Sequence, residues 1–155
     1  KADRAMAALR LMVEGHYHPM QQYFYAQVGN SRSCNVPEAA SMVLVRLCKD
    51  SMAAKLMIEE ELACAAQVIT LLTELAQGPN LRNQAFLSTL GLVETLIKML
   101  GADFERLQRS FRDLYPTSIR KLKAGITETL LSLLEGRQDT TIHETLVKRV
   151  DREVL

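Results

Sequence analysis

The side chains in this sequence with the chemistry to hold a metal or start a reaction are three histidines, three cysteines and two runs of charge. His16 and His18 flank Tyr17. A two-residue spacing on a helix points side chains apart, and no third ligand lies nearby, whereas zinc takes three or four converging ligands. The pair therefore reads as surface or helix-end histidines. His143 falls in the first turn of a helix expected near the end of the chain and reads as solvated. Cys34, Cys48 and Cys64 lack metal-ligand spacing and read as reduced thiols of a cytosolic protein. Glu59, Glu60 and Glu61 diverge on a helix, while calcium needs many converging oxygens. At a helix start, however, three carboxylates complement the macrodipole. The sequence has no nucleophile motif, Gly-rich phosphate loop or metalloprotease string. These residues imply no enzyme, no cofactor and no metal.

The second run of charge is basic. Between Arg106 and Lys123 stand Arg106, Arg109, Arg112, Arg120, Lys121 and Lys123, against one acid, Asp113. Arg106 and Arg109 share a helix face, and Glu105 reaches Arg109 four residues on. A phosphate or an acidic partner could bind there; a solvated helix face accounts for the same residues. The stretch is a candidate interaction surface. The formal net charge of +1 over 155 residues gives no global field favouring nucleic acid or membrane.

The elements that must position these residues are helices. Four prolines and seven glycines punctuate the whole chain, and long stretches lack both, which disfavours many short strands. Apolar spacing predicts helices over Ala2–Glu14, Pro19–Val28, from Pro37 onward, over Glu61–Gln77, from Leu81 to about Thr89, over Leu92–Leu100, from Asp103 to about Leu114, and from Pro116 to a stop at Gly136. A last helix opens on a capping box of Thr141 and Glu144. No Gly or Pro lies between Pro37 and Gly78, so a break is expected near Asp50-Ser51, with a bent continuous helix as the alternative. Short links imply antiparallel pairing of sequential helices. The expectation is an all-α, multi-helical single domain with armadillo-like packing of eight or nine helices and no sheet. No apolar run approaches the roughly 20 residues of a membrane span, so the chain reads as a soluble piece, and its first residue, Lys1, suggests a larger parent protein.

The centre of this arrangement is predicted at Glu61–Gln77. Leu62, Ala66, Ile69, Leu72 and Ala76 make one apolar stripe, and Cys64, Val68, Leu71 and Leu75 a second. A helix apolar on two sides is buried between neighbours. It ends at Gly78-Pro79, a residue that tolerates positive φ followed by one that cannot continue a helix.

That corner carries the most specific string in the chain. Leu72-Thr73-Glu74-Leu75-Ala76-Gln77-Gly78-Pro79, followed by Asn83-Gln84, resembles the signature of the associated domain shared by inositol-trisphosphate and ryanodine receptors, the RIH-associated domain. Two further stretches agree in order. Gln22-Tyr23-Phe24-Tyr25-Ala26-Gln27-Val28-Gly29-Asn30 is similar to that domain's helix ahead of a polar turn, and Leu130-Leu131-Ser132-Leu133-Leu134-Glu135-Gly136 to its closing segment. The resemblance spans about residues 14–137. Leu75 stands where the family usually has an aromatic, and Asn80 where a cysteine is common. The resemblance implies a non-catalytic scaffold and allosteric relay domain in the cytoplasmic part of a homotetrameric calcium-release channel of the endoplasmic reticulum or another internal store. Its partners would be neighbouring domains of the same channel and of adjacent subunits, without nucleic acid or membrane contact by this segment. Thr73, Glu74, Gln77, Gly78, Pro79, Asn83 and Gln84 are the motif residues it marks. A free-standing armadillo-like adaptor is the alternative reading.

Overall fold

The computed structural model describes residues 2–54, 59–102 and 116–154, and among these it holds eight α-helices and no strand. In chain order they are α1 (Ala2–Val13), α2 (His18–Tyr25), α3 (Val36–Ala54), α4 (Glu59–Ala76), α5 (Leu81–Ser88), α6 (Leu92–Gly101), α7 (Pro116–Ser132) and α8 (Thr141–Val154). The helix expected over residues 103–114 lies outside the described residues, and with it Arg106, Arg109 and Arg112.

Helix α4 is the hub. Leu62, Val68, Ile69, Leu71, Leu72, Leu75 and Ala76 are all buried, so both of its apolar stripes are covered. It packs most extensively against α7 and α1, then α3. Its two principal partners are thus not its neighbours in sequence, while α3, the third, is. Ile69 lies against Gly125, where a Cβ would stand 3.2 Å from Ile69 Cγ2, and one turn on Thr73 meets Thr129. The same offset at successive turns means that α7 runs parallel to α4. Helix α6 joins the other side of the core and packs on α3, α7 and α8.

Several boundaries differ from those the sequence predicts: α7 ends at Ser132 rather than at Gly136, and α4 spans Glu59–Ala76 rather than Glu61–Gln77. Helix α2 stops at Tyr25 rather than Val28, because Ala26 turns extended and the Gln27 side chain replaces the helix's own hydrogen bonding. Gln27 Nε2 donates to the Tyr23 carbonyl, and its Oε1 accepts from Cys34 N at 2.6 Å and from Ser33 Oγ at 3.1 Å. Helix α3 continues through Asp50-Ser51 to Ala54. A serine favours a cap only where the chain already turns, and the helix formers Ala53 and Ala54 carry it on. Glu144 pairs with Thr140 rather than with the predicted Thr141. Thr140 Oγ1 donates to Glu144 Oε1 at 3.1 Å, and Glu144 N donates to the Thr140 carbonyl at 2.8 Å.

Candidate functional site

The C-terminus of an α-helix leaves four carbonyls without intrahelical partners. Buried ends need donors from elsewhere, and here the ends of α4 and α7 meet at one place. Three amide side chains supply the donors. Gln21, buried on α2, donates from Nε2 to the carbonyls of Glu74 (2.6 Å) and Gln77 (3.0 Å). Asn83, in the first turn of α5, donates to the Leu75 carbonyl at 2.9 Å. Gln84, fully buried, lies within reach of the carbonyls of Ala76 (3.2 Å), Ser132 (2.9 Å) and Glu135 (3.0 Å). Its amide has two protons, so one is shared. Gln84 thereby ties the end of α4 to the end of α7, and Gln21 ties α4 to α2.

Asn80 completes the joint. Its backbone N donates to the Ala76 carbonyl at 3.0 Å, its Oδ1 caps α5 by accepting from Asn83 N at 3.1 Å, and its Nδ2 donates to Gln21 Oε1 at 3.0 Å. The cysteine common at this position in the resembling family supplies neither the acceptor for the cap nor a strong donor for Gln21. Asn80→Cys should lower stability by about 2 kcal/mol, the sum of a lost cap and an orphaned buried oxygen. Equilibrium urea unfolding of both proteins measures it, and a change under about 0.5 kcal/mol would show the cap to be dispensable.

Close packing fixes the geometry. Gly78 has φ +96°, and a Cβ there would stand 2.9 Å from His16 Cβ. Gly136 has φ +67°, and its Cβ would stand 2.5 Å from Pro79 Cγ. No other residue type satisfies both the backbone and the space. Glu135 Oε2 accepts from Gly78 N at 3.2 Å, a second tie between the two helix ends. One turn below, Thr73 and Thr129 hydroxyls are 2.8 Å apart between α4 and α7. One donates to the other, and the other donates to a carbonyl of its own helix, Ile69 at 3.0 Å or Gly125 at 2.9 Å.

One guanidinium, on the residue after Gly136, reaches across to the start of α5. The Arg137 side chain is 10% exposed, with Nη2 2.7 Å from Asp139 Oδ2. Its Nη1 donates to the Leu81 carbonyl at 3.3 Å and to Gln84 Oε1 at 3.5 Å. The Asp139 carboxyl is held below the usual carboxylate range: its partial desolvation is outweighed by the Arg137 guanidinium and by hydrogen bonds from Thr141.

All seven motif residues named from the sequence therefore stand at one corner, though in different capacities. Asn83 and Gln84 act through side-chain amides, Thr73 through its hydroxyl, and Gly78 and Pro79 through space. Gln77 contributes its carbonyl. Glu74 Oε2 lies 3.4 Å from His16 Nδ1, just beyond the end of α1. Of the basic stretch, Arg120 and Lys121 are exposed and Lys123 is half-buried on the N-terminal half of α7, away from the corner. Gln21, Thr129, Glu135 and Arg137 were not singled out by sequence reasoning, and Asn80 only as a departure from the family pattern. Each has a partner tens of residues away that nothing local announces.

The remaining candidates stay apart. Cys34 is exposed, Cys64 is half-buried and Cys48 is buried. Burial pushes the Cys48 thiol up, against a weaker opposing pull from Lys98. Among the described residues no group of three or more His, Cys, Asp or Glu could hold a metal ion, and no helix is long and apolar enough to cross a membrane. Residues 2–100 match the family model described as RyR and IP3R Homology associated. The matched segment contains the first two motif stretches and ends before the third.

Proposed function

Because this chain belongs to the RyR and IP3R Homology associated family, we propose that it is a non-catalytic scaffold and relay domain of an intracellular ligand-gated calcium-release channel. In this reading it lies on the cytoplasmic side of an internal calcium-store membrane, with armadillo-like packing, within a tetrameric parent. It passes movement from ligand-binding domains toward the pore, and its partners are neighbouring domains of the same channel. The observation that supports the reading best is the corner itself. Gln84 and Gln21 lock the ends of α4 and α7 and the side of α2 into one block. A block whose helices are tied to one another by buried amide-to-carbonyl bonds moves as a unit, and displacement then concentrates at its margins.

A relay need not bind the agonist or the permeant ion. Calorimetry of the purified chain at moderate salt is expected to show no saturable heat with inositol trisphosphate or with calcium. A stoichiometric site of micromolar affinity for either would make this a ligand-binding unit and overturn the assignment. Whether the parent reading frame continues into several transmembrane segments separates a channel domain from a free-standing adaptor.

A further inference from the structure

Two segments that meet on the surface contain no acidic residue: 15–37 and 75–93. The first supplies α2 and the turn after it, the second α5. Their contact is a stack. Arg82 lies over the Tyr25 ring, 3.8 Å from its centroid, and Tyr25 meets Phe86 edge-on at 5.2 Å. Arg82 also donates from Nη1 to Gln22 Oε1 at 3.3 Å. A guanidinium has five N–H donors, so most of this exposed group faces solvent, held in place from below.

The ridge continues from Gln22 to Tyr23, which is 50% exposed, and from the Tyr23 hydroxyl to Asn30 Nδ2 at 3.5 Å. Asn30 closes a turn by donating to the Gln27 carbonyl at 3.2 Å, with Gly29 at φ +91°. Val28 stands at the tip of that turn and is 96% exposed. The turn is not loose. The side chain of Gln27 is bonded to Tyr23, Ser33 and Cys34, and its backbone N donates to Ser33 Oγ at 3.1 Å. Four polar contacts thus hold an aliphatic side chain out in water, beside a half-exposed tyrosine, with Arg32 further along the same loop. Arginine and tyrosine are the residues that dominate binding energy at interfaces, and an already ordered turn loses little entropy on docking.

We propose that this ridge of α2, its following turn and the start of α5 docks an acidic segment of a partner protein, with Val28 and Tyr23 as apolar anchors and Arg82 and Arg32 as charge contacts. The two arginines select the partner's sign, since neither segment carries an acid of its own and a basic partner would meet like charge at both. The inference is separate from the basic stretch at 106–123 and does not depend on the relay reading.

The test places the photo-reactive residue p-benzoyl-phenylalanine at Val28 in the intact natural protein, in its own cells. After irradiation, the cross-linked peptides are sequenced by mass spectrometry. The expected product is one dominant protein peptide in which Asp and Glu outnumber Lys and Arg. Arg82→Glu or Arg32→Glu should reduce its yield at least tenfold, with the melting temperature of each variant measured as a control for folding. Predominantly lipid adducts, a basic or neutral peptide, scattered peptides without a dominant one, no cross-link, or a yield indifferent to both charge reversals would each overturn the proposal.

Discussion

Gln84→Leu is expected to be the most destabilising single substitution at the corner, at about 3–5 kcal/mol. The side chains are similar in size, so the core is not emptied. What is lost is the one side-chain donor among the described residues that reaches the carbonyls of Ser132 and Glu135. Each orphaned buried carbonyl costs on the order of 1–3 kcal/mol, and Ala76 retains the bond from Asn80 N. Arg137 Nη1 also loses an acceptor in Gln84 Oε1. For a chain of this size the loss corresponds to a fall in melting temperature of roughly 10 °C. Gln77→Leu is the matched comparison: the same amide type at the same corner, but with a side chain that makes no hydrogen bond there. It should move stability by no more than about 0.5 kcal/mol. Calorimetric melts that gave the two variants equal shifts would mean that the amides at this corner do not hold it.

Gly78→Val is expected to separate agonist binding from calcium release in the parent channel. Valine at φ +96° is strained by about 1–3 kcal/mol. Its Cβ would also press into His16 Cβ at 2.9 Å, so the link between α1 and α2 must move relative to α4. The position precedes Pro79, which restricts the backbone further. The hypothesis is that the altered channel assembles and binds agonist normally while evoked release falls sharply, because a relay must hold defined arrangements to couple two sites. Gly91→Ala serves as the control for backbone strain alone. Gly91 has φ +71°, but a Cβ there meets nothing within 4 Å, and release should survive. Adding His16→Gly to Gly78→Val removes the colliding atom and should restore part of the signal. If Gly78→Val releases calcium normally from an assembled channel, the corner is passive packing.

What the sequence made readable, and what it hid, divide along one physical line. The burial of α4 follows from the spacing of Leu62, Ile69, Leu72, Val68, Leu71 and Leu75, all within one element, and it is observed. The turn at Gly78 and the start of α5 follow from local backbone chemistry, and they are also observed. Asn83 and Gln84 were marked by resemblance alone. Propensity would place such amides on the surface, and their burial makes sense only once the bare carbonyls of two helix ends are brought beside them. Gln21 and Thr129 are harder still, since Gln21 acts 53 residues away and Thr129 meets its partner across 56. The end of α2 was misjudged for a related reason. A side chain, Gln27, took over the turn before the periodicity ran out.

The separations along the chain of the corner's ties bear on the order in which the molecule assembles. Gln21 to Glu74 spans 53 residues, Asn80 to Gln21 spans 59, Gln84 to Ser132 spans 48 and Gly78 to Glu135 spans 57. None of these bonds can form until the intervening chain has been ordered, and contacts of such length slow folding far more than they change equilibrium stability. The individual helices, whose hydrogen bonds span four residues, can form early. The apolar faces of α4 and α7 must then find the parallel register that sets Thr73 on Thr129 before the amides find their carbonyls. The polar joint is accordingly a late event in folding. It acts as a proof of register, since a slip of one turn between α4 and α7 would leave Gln84 facing carbonyls already bonded within the helix and the true ends bare.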